Sequence, residues 1–141
     1  MALDRQKIRP YQGQSISADS GFEAILKGTT HPFVDIAGRG ALRYMAIWIS
    51  AVNDSHKIWP TILCDGVGIQ PHGMIDAMDA RGFDEHSLPL AITLYSDDGD
   101  IGLYYTFIPE LTFDRSLRIQ AENWSAANTV NVSCAWTYYT L

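Results

Sequence analysis

Basic residues are scarce in this sequence. Ten lysines and arginines stand against sixteen aspartates and glutamates, a formal net charge of −6, and charged residues of both signs make up only 18% of 141 positions. That balance excludes a general nucleic-acid binder, which needs a basic stripe to displace condensed counterions. Long hydrophobic runs are missing too: no stretch approaches the roughly 18 apolar residues of a membrane-spanning helix. The first ten residues have no apolar core of the kind a secretory leader carries. Cysteine is limited to Cys64 and Cys134. Both fall in apolar alternation, where they are expected as free core thiols. No Cys-x-x-Cys, His-Glu-x-x-His or Gly-x-Ser-x-Gly pattern occurs, so the usual signatures of zinc sites and nucleophile elbows are lacking. We therefore expect no enzyme and no cofactor.

What the sequence has is β-rhythm. Apolar residues make up 47% of it, enough for one well-filled domain without metal or disulfide staples. The clearest stretch is residues 128–141. Val130, Val132, Cys134, Trp136 and Tyr138 fall on one face there, and Asn131, Ser133, Ala135, Thr137 and Tyr139 on the other. Side chains alternate across a strand, so this period of two predicts a long strand with one buried face. Because the pattern runs to Leu141, no C-terminal tail or second domain is expected. Shorter strand signals cover residues 22–27, 32–37, 41–51, 58–64, 67–69, 89–96, 101–108 and 115–121. Residues 41–51 are apolar on both faces, which suits the middle of a sheet or a site under an interface. Asp65-Gly66 reads as a type I′ hairpin turn, and Pro60 demotes part of 58–64 to an edge or bulge. Residues 70–88 break the rhythm and read as a long loop with one helical turn around Met74, Ile75 and Met78. The expectation is an all-β, about eight-stranded antiparallel sandwich, jelly-roll-like, over residues 22–141.

Residues 1–21 show no sustained period and read as an extended N-terminal arm. Arg5, Lys7 and Arg9 make it locally basic and Tyr11 adds one apolar anchor, so it is expected to order against a neighbouring subunit.

Candidate sites are few. Asp97, Asp98 and Asp100 could hold a hard cation, but the later bidentate Glu of a calcium loop is missing, and acidic turns are commonly just solvated. Asp76, Asp79, Asp84 and Glu85 form a second acidic cluster of the same kind. His31, His56, His72 and His86 are expected in turns or loops and share no ligand spacing. Asn-x-Ser matches at Asn53, Asn123 and Asn131 carry no weight without a leader. Trp59 and Trp124, at a strand start and in a loop, are candidate surface aromatics, suited to stacking on a sugar or packing on another subunit.

Several segments together resemble small jelly-roll proteins of tailed-bacteriophage virions, the capsid decoration or tail-associated proteins. They are Gly38-Arg39-Gly40-Ala41-Leu42, Cys64-Asp65-Gly66, Ser116-Leu117-Arg118-Ile119, Asn123-Trp124-Ser125 and the closing run from Val130 to Tyr139. The resemblance spans roughly residues 33–141 and leaves residues 70–88 outside the pattern. It implies a virion structural protein, made in the host cytoplasm. Such a protein assembles as a closed homo-oligomer, a trimer for preference, on a larger virion scaffold protein, with no nucleic acid or membrane as partner. The competing expectation is a jelly-roll carbohydrate-binding module for host-surface attachment. A third, a cupin-like metalloenzyme, would need histidines clustered on strands.

Overall fold

The computed structural model describes residues 15–50, 53–69, 90–94 and 99–140. Among them lie nine strands: β1 (Ser15–Ile25), β2 (Thr30–Ala37), β3 (Gly40–Ser50), β4 (Ile58–Cys64), β5 (Val67–Ile69), β6 (Leu90–Leu94), β7 (Ile101–Phe113), β8 (Ser116–Asn123) and β9 (Val130–Thr140). A short 3-10 turn, Ser55–Lys57, precedes β4. Every pairing is antiparallel. One sheet has the order β1-β9-β3-β7-β6 and the other β2-β8-β4-β5.

With β6 set aside, the partners nest as β1 with β9, β2 with β8, β3 with β7, and β4 with β5. This is one long hairpin rolled up so that its arms alternate between two sheets, the connectivity of a jelly roll. The expected antiparallel sandwich is therefore the fold of the chain.

The core fills the space between the sheets from the alternating positions. Leu42, Met45, Ile47 and Ile49 of β3, Ile101 and Leu103 of β7, and Val130, Val132 and Cys134 of β9 face inward from the five-stranded sheet. Ile58, Ile62, Leu117 and Ile119 meet them from the four-stranded one. Trp136 shares the inward parity of β9 but is only partly buried against the margin of this core. It is less central than its place in the alternation suggests.

Three local features depart from the expectations. β1 begins at Ser15, so residues 15–21 belong to a strand paired with β9 and not to an arm. Gly21, at φ +64°, marks a bulge between Asp19 and Phe22 within that strand, where the sequence suggests a boundary. Residues 1–14, with Arg5, Lys7, Arg9 and Tyr11, lie outside the described residues. β7 runs on to Phe113 because its pairing with β3 resumes at Leu111, after residues 107–110 loop out of register. His31 lies within β2 and not in a loop.

Turn chemistry behaves as expected. Asp65 and Gly66 both have positive φ, 56° and 79°, between β4 and β5. Among the described residues β5 pairs with Ile62–Cys64 alone, and Pro60, which cannot donate a ladder hydrogen bond, pairs there with Ala121 of β8 only. Gly40 allows β3 to approach β9 closely: a Cβ there would run into the Tyr139 carbonyl oxygen and the Phe113 ring.

Candidate functional site

Two places on the described surface concentrate side chains able to recognise a partner. The first is the outer face of the five-stranded sheet. The register sets Ala46 between Tyr104 and Ala135, Trp48 between Gly102 and Ser133, and Tyr44 between Thr106 and Thr137. Directly opposed side chains in a sheet stand about 4.5–5.5 Å apart, so small residues beside large ones leave a depression. The result is a groove of about 240 Å3, with Ala46, Gly102, Ser133 and Ala135 as floor and Tyr44, Tyr104 and Trp48 as walls. The Tyr44 and Tyr104 rings lie 6.2 Å apart at a tilt of 34°. Burial, and then Tyr104 beside it, push the Tyr44 phenol above its ordinary pKa, so it stays a neutral hydroxyl. Trp48 is 41% exposed, although it stands on the central strand of the sheet. Further along β9, the Tyr139 hydroxyl accepts a 2.9 Å hydrogen bond from Arg43. The central rows of this face, on β3, β7 and β9, carry no Asp, Glu, Lys or Arg.

The second place is the end of the sandwich where β8 passes into β9. Asn123, the last residue of β8, is buried and satisfies three partners. Its amide nitrogen donates to the Ile25 and Asn128 carbonyls, both at 2.9 Å, and its amide oxygen accepts from the Ser125 N–H at 2.9 Å. The buried Ser125 hydroxyl donates to Asp54 at 2.6 Å and accepts from the N–H of Asn128 at 2.8 Å. Asn128 donates its side-chain amide to the same Asp54 oxygen at 2.8 Å. Ser125, then Asn128, hold the Asp54 carboxyl below the usual carboxylate range by hydrogen bonding its charged form.

This frame pins both neighbours of Trp124 and turns its side chain outward, 56% exposed. The indole stacks on Trp59 with ring centroids 5.0 Å apart and an interplanar angle of 26°. Its Nε1–H donates to Glu122 at 2.8 Å. Trp59 lies beneath, paired with Glu122 across β4 and β8, and its own buried Nε1–H has no hydrogen-bond partner among the described residues.

The structure thus brings together the two tryptophans singled out in the sequence, although they come from different strands. Of the acidic turn, Asp97 and Asp98 lie outside the described residues, and Asp100 is exposed just before β7. His72, His86, the second acidic cluster and the helical turn around Met74 also lie outside them. Among the described residues no group of three or more His, Cys, Asp or Glu is placed to hold a metal ion. Cys64 and Cys134 are free and buried; burial pushes the Cys134 thiol up to about 12, so at neutral pH it is an inert thiol. The Asn-x-Ser site at Asn123 is spent on the loop frame.

Sequence reasoning does not assemble the groove. Its one signal is the doubly apolar stretch 41–51, which locates Tyr44, Ala46 and Trp48 but not their neighbours on β7 and β9. No protein-family model matches the chain, and a search of curated proteins finds no match.

Proposed function

We propose that this chain is a non-enzymatic structural protein of a tailed-bacteriophage virion. It assembles as a closed homo-oligomer, a trimer for preference, and attaches to a larger virion scaffold protein. The observation that carries the reading is the uncharged groove on the outer face of β3, β7 and β9. Interface cores are depleted in charge and enriched in Tyr and Trp, the composition of that face. An exposed tryptophan on the middle strand of a sheet holds apolar surface in water until something covers it. A closed ring of copies would cover it without open-ended growth. The jelly-roll body and the resemblance of its segments to small phage jelly-roll proteins support the virion setting.

Light scattering on the purified chain at micromolar concentration tests the self-assembly. The expected result is a discrete multiple of the monomer mass. Replacing Ala135 on the groove floor by Arg should return the protein to monomer, because a long charged side chain would fill the depression between Tyr44, Tyr104 and Trp48 and keep a second copy out. A wild-type chain that is strictly monomeric under these conditions would overturn self-assembly.

A further inference from the structure

We infer that Trp124, backed by Trp59 and edged by Glu122, is a platform on which one ring of an uncharged, hydroxyl-rich glycan stacks. The site is separate from the groove and goes beyond the assembly reading.

Three observations carry it. The Trp124 indole is immobilised before any ligand arrives: one face lies on Trp59 at 5.0 Å, its N–H is held by Glu122 at 2.8 Å, and its backbone N–H is tied to the Lys57 carbonyl at 3.0 Å. Preorganisation of this kind lowers the ordering cost of binding. What remains free is the ring face, on a residue 56% exposed. The second observation is the chemistry at the edge. Glu122 uses Oε2 for the indole, which leaves Oε1 to accept a hydroxyl from a ring lying on Trp124. An apolar plate with a hydroxyl acceptor at its rim matches a pyranose, which has a C–H face and a girdle of hydroxyls. The same carboxylate, on a chain of net charge −6, disfavours a phosphate-bearing base or an acidic sugar on the same plate. The third is the buried Trp59 Nε1–H, which has no hydrogen-bond partner among the described residues. A phenylalanine at that position would pack beneath Trp124 without leaving a donor unsatisfied, so close packing alone does not account for a tryptophan there. The broader indole backs more of the Trp124 ring than a phenyl group would.

Rings with all hydroxyls equatorial present the flattest C–H face. Cellohexaose and chitohexaose are therefore the probes, with a mannose hexamer, whose axial hydroxyl spoils one face, as comparison. Titration into the full chain, followed by tryptophan fluorescence and calorimetry, should show saturable binding of at least one of the two probes, in preference to the mannose hexamer. Trp124→Ala should weaken it by roughly tenfold or more, as loss of a central aromatic contact does. Trp124→Phe should restore part of the loss, and Glu122→Ala should weaken binding with the fold intact by circular dichroism. Binding of neither probe at millimolar concentration overturns the proposal, and so does equal affinity in Trp124→Ala. If Trp124→Ala instead disrupts the oligomer measured by light scattering, the platform is a protein contact and the glycan assignment falls. The oligomer measured on wild type is an independent result, so failure here leaves the assembly reading standing.

Discussion

The two sheets turn opposite chemistry outward. Across β3, β7 and β9 the outer face is aromatic on a floor of Ala, Gly and Ser, with no formal charge in its central rows. Across β2 and β8 it is a polar lattice: Arg118 donates to Gln120 at 2.8 Å and to Asp35 at 3.3 Å, and Glu122 closes the row at the tryptophan pair. The inward faces do not differ in this way, since both are lined by buried aliphatics. Burial therefore explains why the chain folds but not why one outer face stays polar. On the proposed assembly, the aromatic face is the one a neighbouring copy covers and the polar face the one that stays wet.

Substitutions on each sheet test whether the two faces differ in this way. The largest effect is expected where the sheets are alike. Phe113→Ala should cost about 3–5 kcal/mol and Ile119→Ala about 2–5 kcal/mol, one from each sheet, read as shifts in the urea midpoint. An outer-face substitution such as Ala135→Arg should leave that midpoint nearly unchanged, and a core-sized loss there would show that the faces are wrongly assigned. Next in size is the contrast between the outer faces. Gln120→Arg, on the polar side, should leave the oligomer mass unchanged in light scattering, whereas Ala135→Arg should abolish it. Equal disruption by both would remove the distinction.

A smaller effect is expected for Trp136→Ala, about 1–2 kcal/mol, because a half-buried ring forfeits only part of its transfer free energy. A loss as large as that of Phe113→Ala would place Trp136 in the centre of the core.

The smallest effect concerns the end of the sandwich with the short turns. The Asp65 carboxylate accepts backbone N–H groups of Asp114, Arg115 and Ser116 at 2.6–3.1 Å, and these hold its pKa below the ordinary value. A depressed folded-state pKa contributes stability that is present above the unfolded value, near 3.9, and lost as pH falls through the folded one. Asp65→Asn should therefore lower the melting temperature at neutral pH and flatten its decline in acid. Identical acid profiles for the two proteins would show that the latch contributes nothing. Asp54, depressed by Ser125 and Asn128, leaves a residual acid dependence in the variant.

Strand positions were readable because alternation is local. The inward set Val130, Val132, Cys134 and Tyr138 is buried as its period predicts, and Asp65-Gly66 makes the expected turn. The misreadings share a cause. β1 lies at the edge of its sheet and is mostly exposed, so its residues carry little apolar signal; their polar run and Gly21 read as an arm, although Gly21 only marks a bulge. The extension of β7 past Pro109 was hidden because residues 107–110 interrupt the period that would have announced it.

The all-β character, the approximate strand positions, the scarcity of charge and the excess of aromatics are legible in the amino-acid sequence. These follow from a two-residue period and from composition, both properties of neighbouring residues. Tertiary structure alone decided which strands are neighbours. Tyr44 and Trp48, Gly102 and Tyr104, and Ser133 and Ala135 come from three separate strands, and only the register of β3 with β7 and β9 makes them one groove. Trp59 and Trp124 likewise become a stack only because β4 pairs with β8 and the Asn123–Ser125–Asp54 hydrogen bonds fix the turn that follows. Pairing of distant strands is chosen by the packing of the whole core, and local alternation carries no record of it.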